Sequence, residues 1–275
     1  MSEALNRLID VMAKLRSPEG GCAWDLKQDF RSLAPYILEE SYEVVEAIEN
    51  TDMKGLKEEL GDVLLQVVFH AQLAREQNLF DFDQIANYVA DKMIERHPHV
   101  FGDRDAATAN DVLRNWETDK AAKRAAQAEA EKRRPSALDN VNTALPAASR
   151  ALKFQQRAAT VGFDWTEAKD IIAKIREETD ELEVEILSGA SKDAMEDELG
   201  DVMFILINLA RHLDIEPETA LRRANRKFER RFRGIEDRLA AQGRGVAEAS
   251  LDEMEKLWND VKRDEKAELA LKNAV

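Results

Sequence analysis

The sequence predicts an all-α protein built from two tandem helical-bundle modules. Apolar residues recur three and four positions apart over long stretches, which is the spacing of amphipathic helices. Only 11 glycines and 6 prolines interrupt the 275 residues, so the chain has few positions for turns. One helical pattern also occurs twice, and its two copies cover most of the chain.

The two copies match segment by segment. The first begins at Trp24 with WDLKQDFRSLAPYILEESYEVVEAI, and the second begins at Phe163 with FDWTEAKDIIAKIREETDELEVEI. A second acidic helix containing ELGDV follows in both copies. The later matches pair Lys92 with Arg226, Trp116 with Trp258, and Lys120 with Lys262.

Each copy predicts two consecutive amphipathic helices joined by a short turn. In the first copy their apolar positions are Ile37, Val44, Val45 and Ile48, and then Leu60, Val63, Leu64 and Val67. Gly55 and Gly189, with polar neighbours, are the predicted breaks between the paired helices. Since no strand pattern of comparable length competes, each module is expected to be a small antiparallel bundle.

The predicted domain organisation is an N-terminal module over 1–120, a linker over 121–140, a C-terminal module over 141–266 and a tail over 267–275. The linker is Ala-rich and charged and lacks an apolar stripe before Leu138, which favours a solvated helix. A basic binding arm is the alternative. Pro135 is expected to end the linker helix.

Composition restricts the classes of ligand and compartment. The net charge is −15, which disfavours nucleic-acid binding, and an anionic ligand would need a metal ion. The single Cys22 excludes an intramolecular disulfide framework, and no Cys/His spacing indicates zinc. The longest apolar run, Val202 to Ile207, is far shorter than the roughly 20 residues that span a bilayer. We therefore expect a soluble cytoplasmic protein without membrane partners.

Carboxylates recur at helical spacing beside the apolar stripe of both copies. Residues three apart share a helix face, and an antiparallel turn brings two such pairs together. The first set is Glu40, Glu43, Glu59 and Asp62, and the second set is Glu178, Glu181, Glu198 and Asp201. Glu39 and Glu177 lie one residue off these faces and are able to join from the flank.

Such clusters indicate divalent-cation sites. Close carboxylates oppose one another's ionisation, and a cation removes that conflict. Oxygen ligands without thiolate or imidazole suit Mg²⁺ or Mn²⁺, and Mg²⁺ keeps coordination positions open for substrate phosphates. In a chain with 55 acidic residues an ordinary solvated face is the alternative, but the repetition favours metal binding. A di-iron bundle needs Glu-x-x-His, which none of the four histidines supplies.

The acidic patterns resemble those of the MazG family of all-α nucleoside triphosphate pyrophosphohydrolases. EESYE with ELGD and EETDE with ELGD are similar to the family's signature, and so are the flanks LRSPEGGCAWD from Leu15 and ALKFQQRAATVGFDW from Ala151. The resemblance implies the all-α NTP pyrophosphatase fold in both modules and a homodimer. It also implies Mg²⁺-dependent hydrolysis of ribo- and deoxynucleoside triphosphates to monophosphate and pyrophosphate, a reaction that removes surplus or non-standard nucleotides.

Within this reaction, Glu177 or Glu39 is the candidate to orient the attacking water. Lys174 lies one turn before Glu178 and is expected to reach phosphate. In MazG-like proteins the KFQQR stretch supplies further polar contacts, here Lys153, Gln156 and Arg157. Trp258 either stacks on a base or packs in the core, and Trp116 has the same two interpretations.

The cationic positions differ between the copies. The second copy carries Asn225, Arg226, Lys227, Arg230 and Arg231, where the first has Asp91, Lys92, Met93, Arg96 and His97. This difference predicts that the second copy carries the principal activity and that the first is weakly active or structural. An ordinary charged face, with salt bridges to Glu229 or Glu236, is the alternative.

Two other functions remain open at this point. The first is a pyrophosphatase specific for one nucleotide, such as dUTP or dCTP. The second is a non-catalytic helical adaptor that presents acidic faces to a basic partner.

Overall fold

The computed structural model describes residues 2–102 and 108–272, and within these ranges the secondary structure is helical, without a strand. This confirms the predicted all-α class. Two short 3₁₀ helices cover Asp25–Lys27 and Val246–Glu248. The α-helices are α1 Glu3–Leu15, α2 Phe30–Glu49, α3 Met53–Glu76, α4 Phe82–Arg96, α5 Pro98–Phe101, α6 Ala109–Ala130, α7 Ala147–Ala159, α8 Ala168–Ser188, α9 Lys192–His212, α10 Pro217–Ala240 and α11 Leu251–Lys272.

The chain divides into two compact units, residues 1–118 and residues 119–275, called here the first and second unit. The module, linker and tail limits at 120, 140 and 266 stay predictions. Residues 267–272 of the predicted tail belong to α11, and residues 273–275 lie outside the described residues. None of the described helices has an apolar stretch of the length needed to span a bilayer.

The first unit is built on α1, α2 and α3. Its core is a cluster of buried side chains from these helices: Met12, Leu33, Val68, Phe69 and Leu73. Helix α2 begins at a capping box, in which Asp29 accepts hydrogen bonds from the backbone N–H groups of Arg31 and Ser32. The short connection Asn50–Asp52 then turns the chain so that α3 packs along α2.

The turn between α2 and α3 differs from its prediction. Gly55 lies in the first turn of α3, and Asp52 is the N-cap, accepting hydrogen bonds from Lys54 N and Gly55 N at 3.1 and 3.0 Å. A Cβ at Gly55 would lie 2.5 Å from Asp52 Oδ2, so the glycine makes room for the capping side chain. The prediction for Gly189 is confirmed, since this residue ends α8 in the left-handed region at φ 68°.

The second unit repeats the paired acidic helices as α8 and α9, against which α7 and α10 pack. Its buried apolar residues include Ile171, Ile205, Ile235 and Leu239. Gln155 of α7 is also buried, and its Nε2 donates to the backbone oxygen of Phe204 at 2.7 Å. Helix α11 packs on α10.

The helix before the second module ends earlier than predicted. Helix α6 stops at Ala130, five residues before Pro135, because Lys132 adopts the left-handed conformation at φ 54°. The N–H of Arg133 then bonds to the carbonyl of Ala128 at 2.9 Å, which satisfies the helix end without the proline.

Candidate metal and nucleotide site

The predicted carboxylates of the first unit converge at the interface of α2 and α3. Glu40, Glu43 and Glu59 each offer one oxygen, and these oxygens lie within 4.8 Å of one another. We call these three residues the first cluster. Asp62 and Glu39 lie outside it, yet both are close enough for their charges to raise the pKa of Glu40.

In the second unit, three of the predicted carboxylates also converge, between α8 and α9. Glu178, Glu198 and Asp201 form the second cluster, with one oxygen from each within 4.8 Å of the others. Glu178 is the most enclosed, with 9% of the residue exposed. Glu181 lies outside this triplet, but its charge raises the pKa of Glu198. Each predicted set of four therefore contributes three converging carboxylates and one neighbour.

The carboxylates of each cluster repel one another, and a bound cation would relieve this repulsion. Partial desolvation, followed by nearby carboxylates, raises the pKa of Glu40, Glu59 and Glu198 above the ordinary glutamate value. The donors are hard carboxylate oxygens without sulfur or imidazole among them. This donor chemistry fits Mg²⁺ or Mn²⁺.

Lys174 provides a cation beside the second cluster. Its Nζ lies 2.8 Å from Glu177 Oε1 and 2.8 Å from Glu178 Oε1. Hydrogen bonds to these two carboxylates raise the pKa of Lys174, so its ammonium stays charged at neutral pH. Glu177, the candidate water-orienting residue, thus shares an ammonium with one of the candidate metal ligands.

An open groove runs beside the second cluster. Its volume is about 650 Å³, and Arg176, Glu177, Glu181 and Glu198 are among the residues that line it. Three of these are predicted site residues. The groove therefore gives solvent, and a ligand of nucleotide size, access to this face of α8 and α9.

The predicted phosphate-binding arginines of α10 have an acidic partner. Arg230 Nε and Arg231 Nε donate to the two oxygens of Glu265 on α11, at 2.6 and 2.9 Å. These contacts lower the pKa of Glu265. Glu229, the alternative partner suggested by the sequence, pairs instead with Arg233. Glu265 was missed because it lies far along the chain from the arginines.

Arg230 and three other cations of α10 face a second groove of about 740 Å³. Arg223, Arg226, Lys227 and Arg230 lie on this stretch at helical spacing and line the groove. Arg223 was not among the predicted site residues, although the same spacing rule would have included it. Asn225, a predicted contact, is exposed on α10 and is not among the lining residues.

The remaining predicted contacts lie on α7 and α11. Lys153 and Gln156 are exposed on α7, with Lys153 Nζ 3.4 Å from Gln156 Oε1, and Arg157 is half-buried one residue further. Trp258 is half-buried, with its ring 5.5 Å from that of Phe228 and the Arg231 guanidinium 5.4 Å from its centroid. This position combines packing with a face next to a candidate phosphate-binding group.

The tryptophan of the first unit is held differently. Trp116 Nε1 donates to the backbone oxygen of Arg96 at 2.6 Å, and its ring meets the His97 ring edge-on at 5.2 Å. Trp116 therefore ties its helix to the end of α4 and has a clear structural role.

These features define an all-α protein with two candidate metal and phosphate sites, and comparison with known proteins gives the family. The MazG nucleotide pyrophosphohydrolase domain matches residues 28–101 and again residues 166–234. The two matches contain the first and second clusters. The chain belongs to the MazG family of nucleotide pyrophosphohydrolases and is an enzyme of the hydrolase class.

Two relatives that match over nearly their whole length agree with this assignment, and a third matches over part of its length. A nucleoside triphosphate pyrophosphohydrolase of Escherichia coli K12 is 47% identical over 95% of this chain and 98% of its own length. A nucleoside triphosphate pyrophosphohydrolase/pyrophosphatase MazG of Thermotoga maritima is 41% identical over 93% of this chain and 94% of its own length. The uncharacterized protein YabN of Bacillus subtilis is 44% identical, and the match spans about half of it. Family membership favours an enzyme over the helical adaptor.

Proposed function

We propose that the chain hydrolyses nucleoside triphosphates to the monophosphate and pyrophosphate, with Mg²⁺ as the physiological cofactor and Mn²⁺ as a substitute. The observation that carries the proposal is the convergence of three carboxylates from paired helices in each unit. The printed names of the E. coli and T. maritima relatives support the reaction. A cytoplasmic location fits a nucleotide substrate and stays a prediction.

In the second unit, Glu178, Glu198 and Asp201 would hold the cation, with Glu181 as a neighbouring ligand. Bound Mg²⁺ would neutralise phosphate charge and lower the pKa of an attacking water. Glu177 lies outside the cluster, lines the groove and carries a carboxylate able to orient that water and accept its proton. In the first unit, Glu39 has the corresponding position next to Glu40, Glu43 and Glu59.

Cations would bind the phosphates from the other side. Arg230 and Arg231 already hold both oxygens of one carboxylate, a geometry that also suits a phosphate. Lys174 and Lys227 add further positive charge, while Trp258, beside Arg231, offers a ring to a base. The exposed residues Lys153 and Gln156, with Arg157 and Asn225, are proposed as additional substrate contacts.

We place the principal activity in the second unit. The first unit has a comparable carboxylate cluster but fewer cations at the aligned positions. Met93 aligns with Lys227, and His97 aligns with Arg231. A triphosphate needs those cations as well as a metal ion. The first unit is therefore proposed to be weakly active or mainly structural.

A homodimer is proposed on the apolar surface of the acidic helices. Leu187 is 78% exposed and Met203 is 57% exposed, although both belong to the paired helices of the second unit. Leu38 and Leu60 are similarly exposed in the first unit. A second copy would cover such side chains. Sedimentation equilibrium should give twice the chain mass, and a monomer at micromolar concentration would reject the dimer.

The function is tested by inactivating each cluster separately. Glu178→Gln with Glu198→Gln should lower Mg²⁺-dependent pyrophosphate release by at least about 100-fold, since removal of one electrostatic contact to a transition state typically costs that much. Glu40→Gln with Glu59→Gln is the matched control and should keep most of the activity. Helical circular dichroism should be unchanged in both variants.

The outcomes separate the alternatives. Full activity in the variant with all four substitutions would dismiss the proposed site. Full activity after changing Glu178 and Glu198 only would assign the reaction to the first unit. A panel of ribo- and deoxynucleoside triphosphates should be hydrolysed broadly, and turnover confined to dUTP or dCTP would indicate a base-specific enzyme.

A further inference from the structure

A basic residue lies next to the second carboxylate cluster but not at the aligned position of the first. Lys174 lies four residues before Glu178, and the position four residues before Glu40 is Tyr36. The Lys174 ammonium contacts Glu178 and Glu177, both at 2.8 Å. The Tyr36 ring instead packs edge-on against Trp24, with 6.0 Å between ring centroids.

Among the described residues, the first cluster has no counterion corresponding to Lys174. Within the described part of the first unit, no basic side chain forms an ion pair with Glu40, Glu43 or Glu59. The charges that act most strongly on Glu40 and Glu59 are those of other carboxylates. Each cluster thus has three carboxylate donors, but the net charge of the two sites differs.

We propose that Lys174 couples the binding of nucleotide to the binding of a divalent cation in the second unit, whereas the first cluster binds such a cation without nucleotide. The proposal rests on the metal-binding role proposed above. It assigns the difference in charge between the two sites to one position, which is Lys174 in the second unit and Tyr36 in the first.

The physical basis is charge repulsion at short range. The ammonium lies 2.8 Å from one Glu178 oxygen, so a cation bound to either oxygen of this residue would be no more than roughly 7 Å away. That is shorter than the Debye length of about 8 Å at physiological salt, so solvent ions screen the repulsion incompletely. A triphosphate offers Lys174 a stronger partner than Glu178 and Glu177, and it would draw the ammonium away from the cluster.

The expected effect is about tenfold in metal affinity. The repulsion between a single and a double positive charge roughly 7 Å apart weakens cation binding by about this factor, even at a dielectric constant of about 80. A nucleotide that draws the ammonium away should relieve this repulsion and strengthen cation binding in the second unit by a similar factor. By linkage, the cation should strengthen nucleotide binding equally. Tyr36 predicts no such gain in the first unit.

The test measures Mn²⁺ binding by electron paramagnetic resonance, in full-length protein with one cluster neutralised. Glu40→Gln with Glu59→Gln leaves the second cluster to report, and Glu178→Gln with Glu198→Gln leaves the first. Without nucleotide, the first cluster should bind Mn²⁺ about tenfold more tightly than the second. A non-hydrolysable α,β-imido nucleoside triphosphate should reduce this difference in Mn²⁺ affinity between the clusters. The Mn²⁺ bound to free nucleotide is first subtracted from the signal.

Reciprocal substitutions then isolate the lysine. Lys174→Met should strengthen Mn²⁺ binding to the second cluster about tenfold and reduce the gain in Mn²⁺ affinity from nucleotide by the same factor. Tyr36→Lys should weaken binding to the first cluster by a similar factor. Lys169→Met is the control, because Lys169 is on the same helix but pairs with Glu167, 2.7 Å away. This variant should change neither the Mn²⁺ affinity of the second cluster nor its gain with nucleotide.

The failure of this proposal is distinguishable from failure of the proposed function. Unchanged Mn²⁺ affinity in Lys174→Met and in Tyr36→Lys would overturn the coupling while leaving the metal sites intact. Absence of Mn²⁺ binding at both clusters, with or without nucleotide, would overturn the metal-binding role itself.

Discussion

Replacing Arg16 with Met should destabilise the first unit by about 2–3 kcal/mol. The Arg16 side chain is 7% exposed, and its Nε and Nη2 bind the two oxygens of Glu76 at 2.8 and 2.6 Å. Its Nη1 donates to the backbone oxygen of Asp25, and the guanidinium lies 5.5 Å from the Phe69 ring centroid. Methionine would keep most of the packing and remove every polar contact.

The magnitude follows from the burial of each partner. Breaking a fully buried ion pair costs about 3–5 kcal/mol, because the remaining charge has no partner. Glu76 is 33% exposed and also accepts a hydrogen bond from Gln72, so water and that amide would partly solvate it. We therefore reduce the value to about 2–3 kcal/mol, most of it from the lost charged hydrogen bonds and the orphaned Asp25 carbonyl.

Arg244 provides the matched control in the second unit. It binds both oxygens of Glu253, at 2.6 and 2.9 Å, in the same forked manner as Arg16 binds Glu76. Both side chains of this pair are about one-third exposed, at 33% and 34%. Since solvent-exposed ion pairs contribute little to stability, Arg244→Met should have a small effect.

Urea unfolding followed by circular dichroism measures both variants. The two units need not unfold together, so the curves should be fitted with two transitions. Arg16→Met should shift only the transition of the first unit. Equal losses in the two variants would refute the argument that burial, rather than forked geometry, sets the cost.

Three further results are expected. Glu265→Gln should lower the KM for nucleoside triphosphate several-fold in steady-state assays, because both arginines that it holds become available; an unchanged KM would remove them from the phosphate site. In EDTA, the folded state holds protons on Glu40 and Glu59 more tightly than the unfolded state does, because both pKa values are raised. This stabilises the fold at low pH, and the contribution is lost as pH rises from about 4.3 through the raised pKa values. Urea midpoints should therefore show Glu40→Gln with Glu59→Gln gaining stability over wild type as pH rises, and Mg²⁺ should abolish the gain. Gly189→Ala should cost about 1 kcal/mol in the same assay, because φ is 68°; no loss would indicate a relaxed turn.

Most of the fold could be predicted from local patterns, because helix periodicity and chain duplication are visible in sequence. Turn positions were less certain, as Gly55 and Gly189 illustrate. Both glycines have polar neighbours, but Asp52 can cap a helix three residues before Gly55 and thereby moves the turn upstream. The outcome depends on which side chain satisfies the free N–H groups, and composition alone does not reveal that.

The site was predictable to the extent that its residues share a helix. Glu40 with Glu43, and Lys174 with Glu178, are three and four residues apart, so their proximity follows from helix geometry. The contacts of Arg230 and Arg231 with Glu265 join different helices and depend on how α10 packs on α11. The exclusion of Asp62 and Glu181 from the converging triplets likewise depends on packing that spacing does not specify.

The duplicated clusters separate two requirements of the proposed reaction. Carboxylates suffice to hold a divalent cation, and both units bring three of them together. A triphosphate also needs positive side chains, and here the units differ. In the alignment of the two copies, the first has Tyr36 where the second has Lys174, and His97 where the second has Arg231. In the first unit the aligned aromatic residue, Trp116, is engaged with His97 and the Arg96 carbonyl. The first unit therefore has the carboxylates for cation binding, but its residues aligned with the phosphate-binding cations make packing contacts instead. For this reason we expect metal binding in both units and efficient turnover in the second.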